Sequence, residues 1–305
     1  MLKYVLITPA RNEAEFIRKT LESVTTQTVV PEKWVIVDDG STDPTADIIK
    51  DFQQRFDWIE LIQQPPRSNR NFAGKADAVN LAYKSLDSIE FHVVGNLDAD
   101  VSFEPGYMEF LMTKFQADPK LGVAGTPFTQ DGGYDSTRDS FEGANYVAGP
   151  CQLFRLECWK DIGGYVANKA GGVDWIAVMD ARMKGWTVTA FPEKRFHHYR
   201  SMGTAEKGAV GAMYDYGERA YYLGGSFIWH LFRVFYRSFR KPYLIGAISL
   251  LSGYVAAAVR RVERPVSKEM IKFHRRDQMK RLRLVLKSLI MFRKMDSFGK
   301  AHKAK

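Results

Sequence analysis

The chain has 305 residues, 45% of them hydrophobic and 13% aromatic, which is enough apolar material for one large domain or two ordinary ones and excludes a disordered segment. Its two cysteines, Cys151 and Cys158, lie seven apart with no Cys-x-x-Cys or histidine spacing, so a disulfide framework and a zinc site are not expected and a reducing compartment is. The net charge of +9 is unevenly placed: residues 1–205 hold 22 Lys/Arg against 28 Asp/Glu, and residues 206–305 hold 22 against 7, an acidic front and a basic back suited to phosphate or anionic lipid.

Tyr4 to Thr8 reads as the first strand, and Met1-Leu2-Lys3 leads directly into it, so no secretory signal is expected. Pro9-Ala10-Arg11-Asn12-Glu13 follows, then a helix with Phe16, Ile17, Thr20, Leu21 and Val24 on one face. Trp34 to Val37 is predicted as the second strand. It ends in Asp38-Asp39-Gly40-Ser41-Thr42-Asp43-Pro44, where Asp43 is suited to cap a helix and Pro44 to be its first residue. Ile48, Ile49, Phe52 and Phe56 supply the buried stripe of that helix, and Ile59 to Gln63 is a third strand. A polar loop from Pro65 through Gly74 precedes a helix over Lys75 to Leu86, and Phe91 to Gly95 is a short buried strand. This alternation predicts an α/β domain with a mostly parallel sheet flanked by helices.

Asp38/Asp39 and Asp98/Asp100 then stand at the C-terminal ends of two strands, where open α/β sheets place their ligand crevice. Period-two alternation puts Asp98 and Asp100 on one side. Two carboxylates held that close repel unless a proton or cation lies between them, and Mg²⁺ or Mn²⁺ takes oxygen ligands while leaving room for phosphate. A lone Asp-x-Asp is more often a solvated turn, but two acidic clusters in one α/β unit point to a nucleotide-and-metal crevice. The dinucleotide fingerprint is absent, and Ala73-Gly74-Lys75-Ala76 is not a phosphate loop, because Asn69 stands where the first glycine is required and Ala76 replaces Ser/Thr.

Thr8-Pro9-Ala10-Arg11-Asn12-Glu13, Val37-Asp38-Asp39-Gly40-Ser41-Thr42-Asp43, Gly74-Lys75-Ala76-Asp77-Ala78-Val79-Asn80 and Leu97-Asp98-Ala99-Asp100 follow one another in order. Together they resemble the nucleotide-binding half of family 2 glycosyltransferases with the GT-A fold. Gly149-Pro150-Cys151-Gln152-Leu153-Phe154-Arg155, Ile162-Gly163-Gly164-Tyr165 and Asp174 with Arg182 and Gly185-Trp186 extend the resemblance into the acceptor half, over roughly residues 4–200.

The resemblance implies an inverting, nucleotide-sugar-dependent enzyme. It implies that Asp38 or Asp39 contacts the base or ribose, with Pro9, Ala10, Asn12 and Glu13 lining the same pocket. Asp98, Ala99 and Asp100 would serve the ribose and a Mg²⁺ or Mn²⁺ ion on the donor diphosphate, Lys75 would lie near the donor, and Asp174 falls where the family places its catalytic base. Lys75 equally suits a solvated helix start, and Asp174 a helix cap after Gly171-Gly172. The family's acid is usually preceded by Glu; here Val173 stands before Asp174, which removes a like-charge neighbour and should ease its ionisation. GT-A enzymes often add a late histidine as a metal ligand or a basic residue on the diphosphate. In His197-His198-Tyr199-Arg200 the candidates are His198 for the metal and Arg200 for the donor, since the two share a strand face; polar surface is the plainer reading.

Residues 1–205 are therefore expected to be the catalytic domain and residues 206–305 a basic, aromatic-rich helical region that associates with membrane. Tyr221, Tyr222, Phe227, Trp229, Phe232, Phe235 and Tyr236 crowd one stretch, and Pro242 to Val259 is an uncharged run of 18 residues between Arg240-Lys241 and Arg260-Arg261. That run is at the short limit for a span, and residues 260–305, with 16 Lys/Arg and 4 acids, resist translocation. A helix lying in the interface, or a re-entrant pair with the aromatic stretch, is expected, with a buried core helix as the alternative. Lys268 to Met295 is a basic helix with Ile271, Leu282, Val285, Leu286, Leu289 and Phe292 for an apolar side. Gln278-Met279-Lys280-Arg281-Leu282 lacks the Trp of the Gln-x-x-Arg-Trp signature of processive synthases, so a non-processive enzyme is expected.

The expected partners are a nucleotide-sugar donor, a UDP-sugar ahead of a GDP-sugar, a glycan or lipid-linked acceptor in cell-envelope or exopolysaccharide synthesis, and an anionic membrane surface. The expected location is the cytoplasmic face of the membrane, peripheral or monotopic. Nucleic acid is not expected, because the acidic clusters would repel phosphate and the aromatics interleave with apolar residues. The alternatives are a basic-tailed nucleic-acid- or membrane-binding protein without transferase activity, and a nucleotidyltransferase, whose glycine-rich N-terminal loop is replaced by Pro9-Ala10-Arg11-Asn12.

Overall fold

The structure, a computed structural model, describes residues 1–65, 72–138, 143–168, 171–200 and 208–291. The apolar runs near the start of the chain become β1 (Tyr4–Ala10), β2 (Lys33–Asp38), β3 (Ile59–Gln63) and β4 (Val93–Leu97), all parallel, with β1 between β2 and β4. Helices α1 (Ile17–Thr25), α2 (Thr45–Gln53) and α3 (Phe72–Lys84) make the crossovers. After β5 (Val101–Ser102) and α4 (Tyr107–Ala117) come β6 (Leu121–Gly125), β7 (Phe128–Gln130) and β8 (Tyr134–Asp135). Then follow β9 (Cys151–Arg155), α5 (Leu156–Ile162), α6 (Val173–Met183), β10 (Thr187–Ala190) and β11 (Phe196–His198).

The main sheet has the order β10-β6-β9-β4-β1-β2-β3, with only β9 running against its neighbours. Because the sheet is covered on both faces, its strands are apolar on both sides. Leu6, Trp34 and Ile36 pack on one face with Leu21, Met108 and Phe115, and Val5, Ile7 and Val35 on the other with Val79, Phe154 and Trp159. This is the mixed α/β, GT-A architecture expected. A second sheet, β5-β11-β7-β8, crosses the C-terminal side of the strands and delivers His198. Both cysteines are free and buried, and burial pushes each thiol up to about 12.

Several boundaries move from expectation. The strand read at 91–95 lies at 93–97, because pairing of Val93 with Tyr4 and Asn96 with Ile7 draws buried Leu97 into it. The helix read from Lys75 begins at Phe72, so Lys75 sits in its first turn. The helix α2 starts at Thr45 rather than Pro44: Asp43 Oδ1 accepts the Thr45 N–H at 3.1 Å while its Oδ2 accepts the Ala14 N–H at 3.1 Å, so one carboxylate serves two loops.

Described residues group into two compact units, one within residues 1–200 and one within residues 208–291, against an expected boundary after residue 205. The second unit consists of α7 (Gly208–Tyr222), α8 (Phe227–Ser238), α9 (Tyr243–Val259) and α10 (Lys268–Ile290). The basic helix thus ends at Ile290; Phe292 and residues 293–295, and the Leu289 side chain, lie outside the described residues.

The uncharged run is α9, and it packs on α7 with backbones in contact. A Cβ on Gly253 would come within 2.0 Å of Tyr214 O, and one on Gly217 within 2.1 Å of Leu250 O. Buried His230 stacks on Tyr254 at 4.4 Å and donates from Nε2 to Leu250 O at 3.2 Å; burial, helped by the Arg233 charge, lowers its pKa to about 4. Gln278, part of the processive-signature look-alike, is buried and its Oε1 accepts the Ser226 N–H at 2.7 Å, closing the start of α8 against α10. The other side of α9 is uncovered: Leu244, Ile245 and Ile248 are each about two-thirds exposed. Among the described residues no helix is long and apolar enough to cross a membrane. The run is therefore not a fully enclosed core helix: its glycines, Leu250 and Tyr254 are buried, while Leu244, Ile245 and Ile248 face outward.

Candidate active site

The chain leaves β4 at Leu97 and turns, so Asp98 and Asp100 lie beyond the strand and the period-two expectation does not govern them. Their side chains take different partners. Asp98 Oδ1 meets Lys75 Nζ at 2.5 Å. Asp100 Oδ2 lies 3.3 Å from His198 Nε2 and 3.9 Å from Arg200 Nε. Arg200 in turn donates from Nη2 to Glu13 Oε2 at 2.6 Å, tying the loop after β1 to the end of β11. His198 and Arg200, read as sharing a strand face, do converge on Asp100.

Electrostatics follow from this packing. Burial pushes the Asp98 carboxyl up, and the neighbouring Asp100 charge adds to it against the pull of Lys75. Burial also opposes ionisation of Asp100, but the His198 hydrogen bond and the Arg200 and Lys75 charges outweigh it and hold Asp100 below the usual carboxylate range. Lys75 loses solvation on burial, yet Asp98 in contact, with Asp174 and Asp100 beyond, raises it above its ordinary value, so it stays charged. Its solvated-helix-start reading fails.

Asp174 belongs to the same group of charges. It stands in the first turn of α6, whose cap is Gly172 rather than Asp174, and Gly171 and Gly172 take φ of +89° and +76° to make the entry. Asp174 Oδ2 accepts the Tyr146 hydroxyl at 3.1 Å. The backbone at Gly149 presses on that carboxylate: a Cβ there would fall 2.4 Å from Asp174 Oδ2. Gly149 is itself held by Asn96, whose Nδ2 donates to Gly149 O at 3.0 Å, and Asp98 N donates to neighbouring Pro150 O at 2.8 Å. Tyr146 and Asn96 escape sequence reading. Gly149 enters it only as part of a motif, and nothing local marks any of the three.

The loops after β1 and β2 form a second cluster. Asn12, in the left-handed region at φ +54°, accepts the Thr42 N–H at 2.8 Å through Oδ1, and buried Asp38 accepts the Ser41 N–H at 2.9 Å. Asp39 pairs with Arg11 at 4.0 Å. Asn12 and Asp38 thus brace these loops, and Glu13 with Arg200 joins them to Asp100. Ala10 and Ala99 face the core, which leaves only their backbone for a ligand, and Pro9 is half-buried on β1 beside Val37.

The expected metal set of Asp98, Asp100 and His198 does not converge: among the described residues no three His, Cys, Asp or Glu side chains form a metal-binding group. The reason is local, since Lys75 takes Asp98 and His198 points its Nε2 at Asp100. What remains is one ionised, largely buried carboxylate, Asp100, beside cationic side chains. A divalent ion held through one carboxylate, phosphate oxygens and water fits that donor set; a cage built from protein alone does not.

Residues 5–161 match the family described as glycosyl transferase family 2. The chain is 29% identical over 170 residues to the poly-β-1,6-N-acetyl-D-glucosamine synthase of Staphylococcus epidermidis, a match over 50% of this chain and 39% of that protein. The Staphylococcus aureus (strain COL) synthase is 33% identical over 117 residues, 38% of this chain and 26% of that protein. The chain thus matches well under half the length of these relatives. Among solved structures, Staphylococcus aureus TarS 1–349 in complex with UDP-GlcNAc aligns with a TM-score of 0.58 at 16% identity, over 98% of both chains. A Pyrobaculum calidifontis mannosyltransferase in complex with GDP-Man and Mn²⁺ aligns at 0.56 and 17%, over 94% of this chain and 87% of that one. At these identities the structural likeness speaks for the fold.

Proposed function

The chain belongs to glycosyl transferase family 2, and on that premise we propose that it transfers a sugar, with inversion, from a nucleotide-sugar donor to an acceptor hydroxyl. The observation that carries this reading is the link between the strand-end acids and the candidate base: Asp98 meets Lys75 at 2.5 Å and donates its N–H to Pro150 O at 2.8 Å, and the adjoining Gly149 presses on the Asp174 carboxylate.

In this reading the loops after β1 and β2 hold the nucleoside, with Asp38 and Asp39 nearest the base or ribose and Pro9, Asn12 and Glu13 shaping the pocket. Asp98 and Lys75 flank the donor. Beside the donor's diphosphate Asp100 would hold a Mg²⁺ or Mn²⁺ ion, which would supply positive charge against the negative charge building on the leaving group. Arg200 adds a fixed positive charge on the same side. As the acceptor oxygen attacks the anomeric carbon and the bond to the diphosphate breaks, Asp174 takes the acceptor's proton. Tyr146 engages one oxygen of that carboxylate and so orients the other toward the acceptor.

A UDP-sugar is the preferred donor, supported by the UDP-GlcNAc bound to TarS, although the mannosyltransferase neighbour holds GDP-Man. The acceptor is a glycan or lipid-linked sugar in exopolysaccharide or envelope synthesis, supported by the synthase relatives, and transfer is non-processive, supported by Leu282 in place of the signature Trp. Phe227, Ile228, Leu231 and Phe235 of α8 and the outer side of α9 are exposed beside Arg240, Lys241, Arg260 and Arg261, which suits a peripheral seat on an anionic membrane, on its cytoplasmic face where nucleotide-sugars are made.

Calorimetric titration with UDP-GlcNAc, UDP-glucose and GDP-mannose, with and without Mn²⁺, tests the core of this proposal. Metal-dependent binding of one donor is expected, and Asp100→Ala should abolish it; binding indifferent to both metal and Asp100 would sink the reading.

A further inference from the structure

We propose that Gln130 locks His198 in the tautomer that carries its proton on Nε2, so that His198 positions the Asp100 carboxylate as a hydrogen-bond donor and is not a ligand of the divalent cation. The inference rests on the role proposed for Asp100, but its first test needs neither metal nor nucleotide.

Strand register makes the contact. Parallel pairing of β7 with β11 aligns Phe128 with Phe196 and Thr129 with His197, so the next pair brings Gln130 alongside His198. There Gln130 Nε2 lies 2.8 Å from Arg200 O and 2.9 Å from His198 Nδ1. A backbone carbonyl only accepts, so the amide must turn its NH₂ end toward Arg200 O. Rotating the amide by half a turn would set two carbonyl oxygens at hydrogen-bond distance with no hydrogen between them. The same NH₂ group has a second hydrogen, and it meets Nδ1. Nδ1 must then be the bare nitrogen, and Nε2 carries the proton.

That proton faces Asp100 Oδ2 at 3.3 Å. A histidine that binds metal through Nε2 needs the opposite arrangement, with Nδ1–H donating to a carboxylate, carbonyl or water. Here Nδ1 faces a donor anchored from behind by Arg200 O. The ring is buried, with the Phe128 ring edge-on at 5.7 Å, and is held in that orientation. Ligation through Nε2 would set two N–H groups against each other inside the protein, an unmade hydrogen bond of the costly kind. The geometry leaves Asp100 as the cation's carboxylate and makes Gln130 a positioning residue acting through His198.

Proton-detected ¹⁵N correlation spectra of the full chain with labelled histidine, metal-free and above pH 7.5, report the tautomer directly; the His198 signals are those missing in His198→Gln. We expect Nε2–H in the wild type and a switch to Nδ1–H in Gln130→Glu, whose carboxylate accepts from Nδ1. Wild-type His198 protonated on Nδ1, or a Gln130→Glu spectrum in which Nδ1 stays bare, overturns the proposal. As a second measurement, Mn²⁺ binding in the presence of UDP, followed by the spin-resonance signal of free Mn²⁺, should change by less than about threefold in His198→Gln while Asp100→Asn loses about tenfold or more. A loss in His198→Gln as large as that in Asp100→Asn would make His198 a ligand and overturn it. Failure to bind any nucleotide-sugar would refute the proposed function and leave the tautomer result standing.

Discussion

Within residues 1–200 the exposed large hydrophobics among the described residues are Met1, Val30, Leu81, Tyr134 and Val166, each on a different element or loop. Residues 208–291 expose sixteen, most of them along α8 and α9. The first unit wraps a seven-stranded sheet in helices on both faces, so its apolar side chains are used up and charged groups are free to gather where the strands end. The second unit is held by backbone approach through Gly217 and Gly253 and by the buried His230, Tyr254 and Gln278, which stabilise one side of its helices only. The candidate catalytic side chains thus stand in the part whose hydrophobic demand is met, and the contiguous exposed apolar side chains in the part whose demand is not.

Substitutions in each unit test this contrast. The largest effect expected is on the chemical step: Asp174→Asn should lower kcat by about 10²- to 10⁴-fold, the usual worth of a general base, while calorimetry shows nucleotide affinity unchanged. Unaltered turnover would remove Asp174 as base. Next, Gly253→Ala forces apart the α7 and α9 backbones and should cost the second unit about 2–3 kcal/mol, read as a lower melting transition of that unit alone. If both units melt earlier together, they are not energetically separate.

Third, Lys75→Met removes the cation facing Asp98. The Asp98 carboxyl, already pushed up, rises further, so it protonates at higher pH and the acid limb of nucleotide binding moves toward neutrality, with affinity at pH 7 lower by about tenfold (1.4 kcal/mol). An unmoved acid limb would show that Asp98 does not need its charge. The smallest effect is at the surface: Leu244→Ser with Ile248→Ser, both already exposed, should weaken partition onto vesicles containing anionic lipid by on the order of fivefold without altering the melting of either unit. Unchanged partition would move the membrane contact elsewhere.

Much of the catalytic unit is legible in the sequence. Strands near Tyr4, Trp34, Ile59 and Val93 announce themselves by short runs rich in β-branched and aromatic residues, and Asp38, Asp98 and Asp100 by falling where those runs stop. Alternation links His198 and Arg200, and they do meet at Asp100. Less legible are the partners. Asp98 and Asp100 read as a pair sharing one ion, yet Lys75 claims the first and His198 the second, because the chain turns after Leu97. Gln130 sits in a stretch with no motif, and Tyr146 just before the Gly-Pro motif; only strand register and the loop before β9 bring them to His198 and Asp174.

Periodicity and side-chain chemistry act over a few neighbouring residues, and from them alone come the element types, the mostly parallel α/β arrangement and the acidic strand ends. Folding in three dimensions selects which acid meets which base, how Gln130 faces His198, and that α9 lays its glycines on α7 and leaves Leu244, Ile245 and Ile248 exposed. Those outcomes depend on contacts between segments tens to more than a hundred residues apart, whose register is set by the packing of the whole unit and is written in no local stretch.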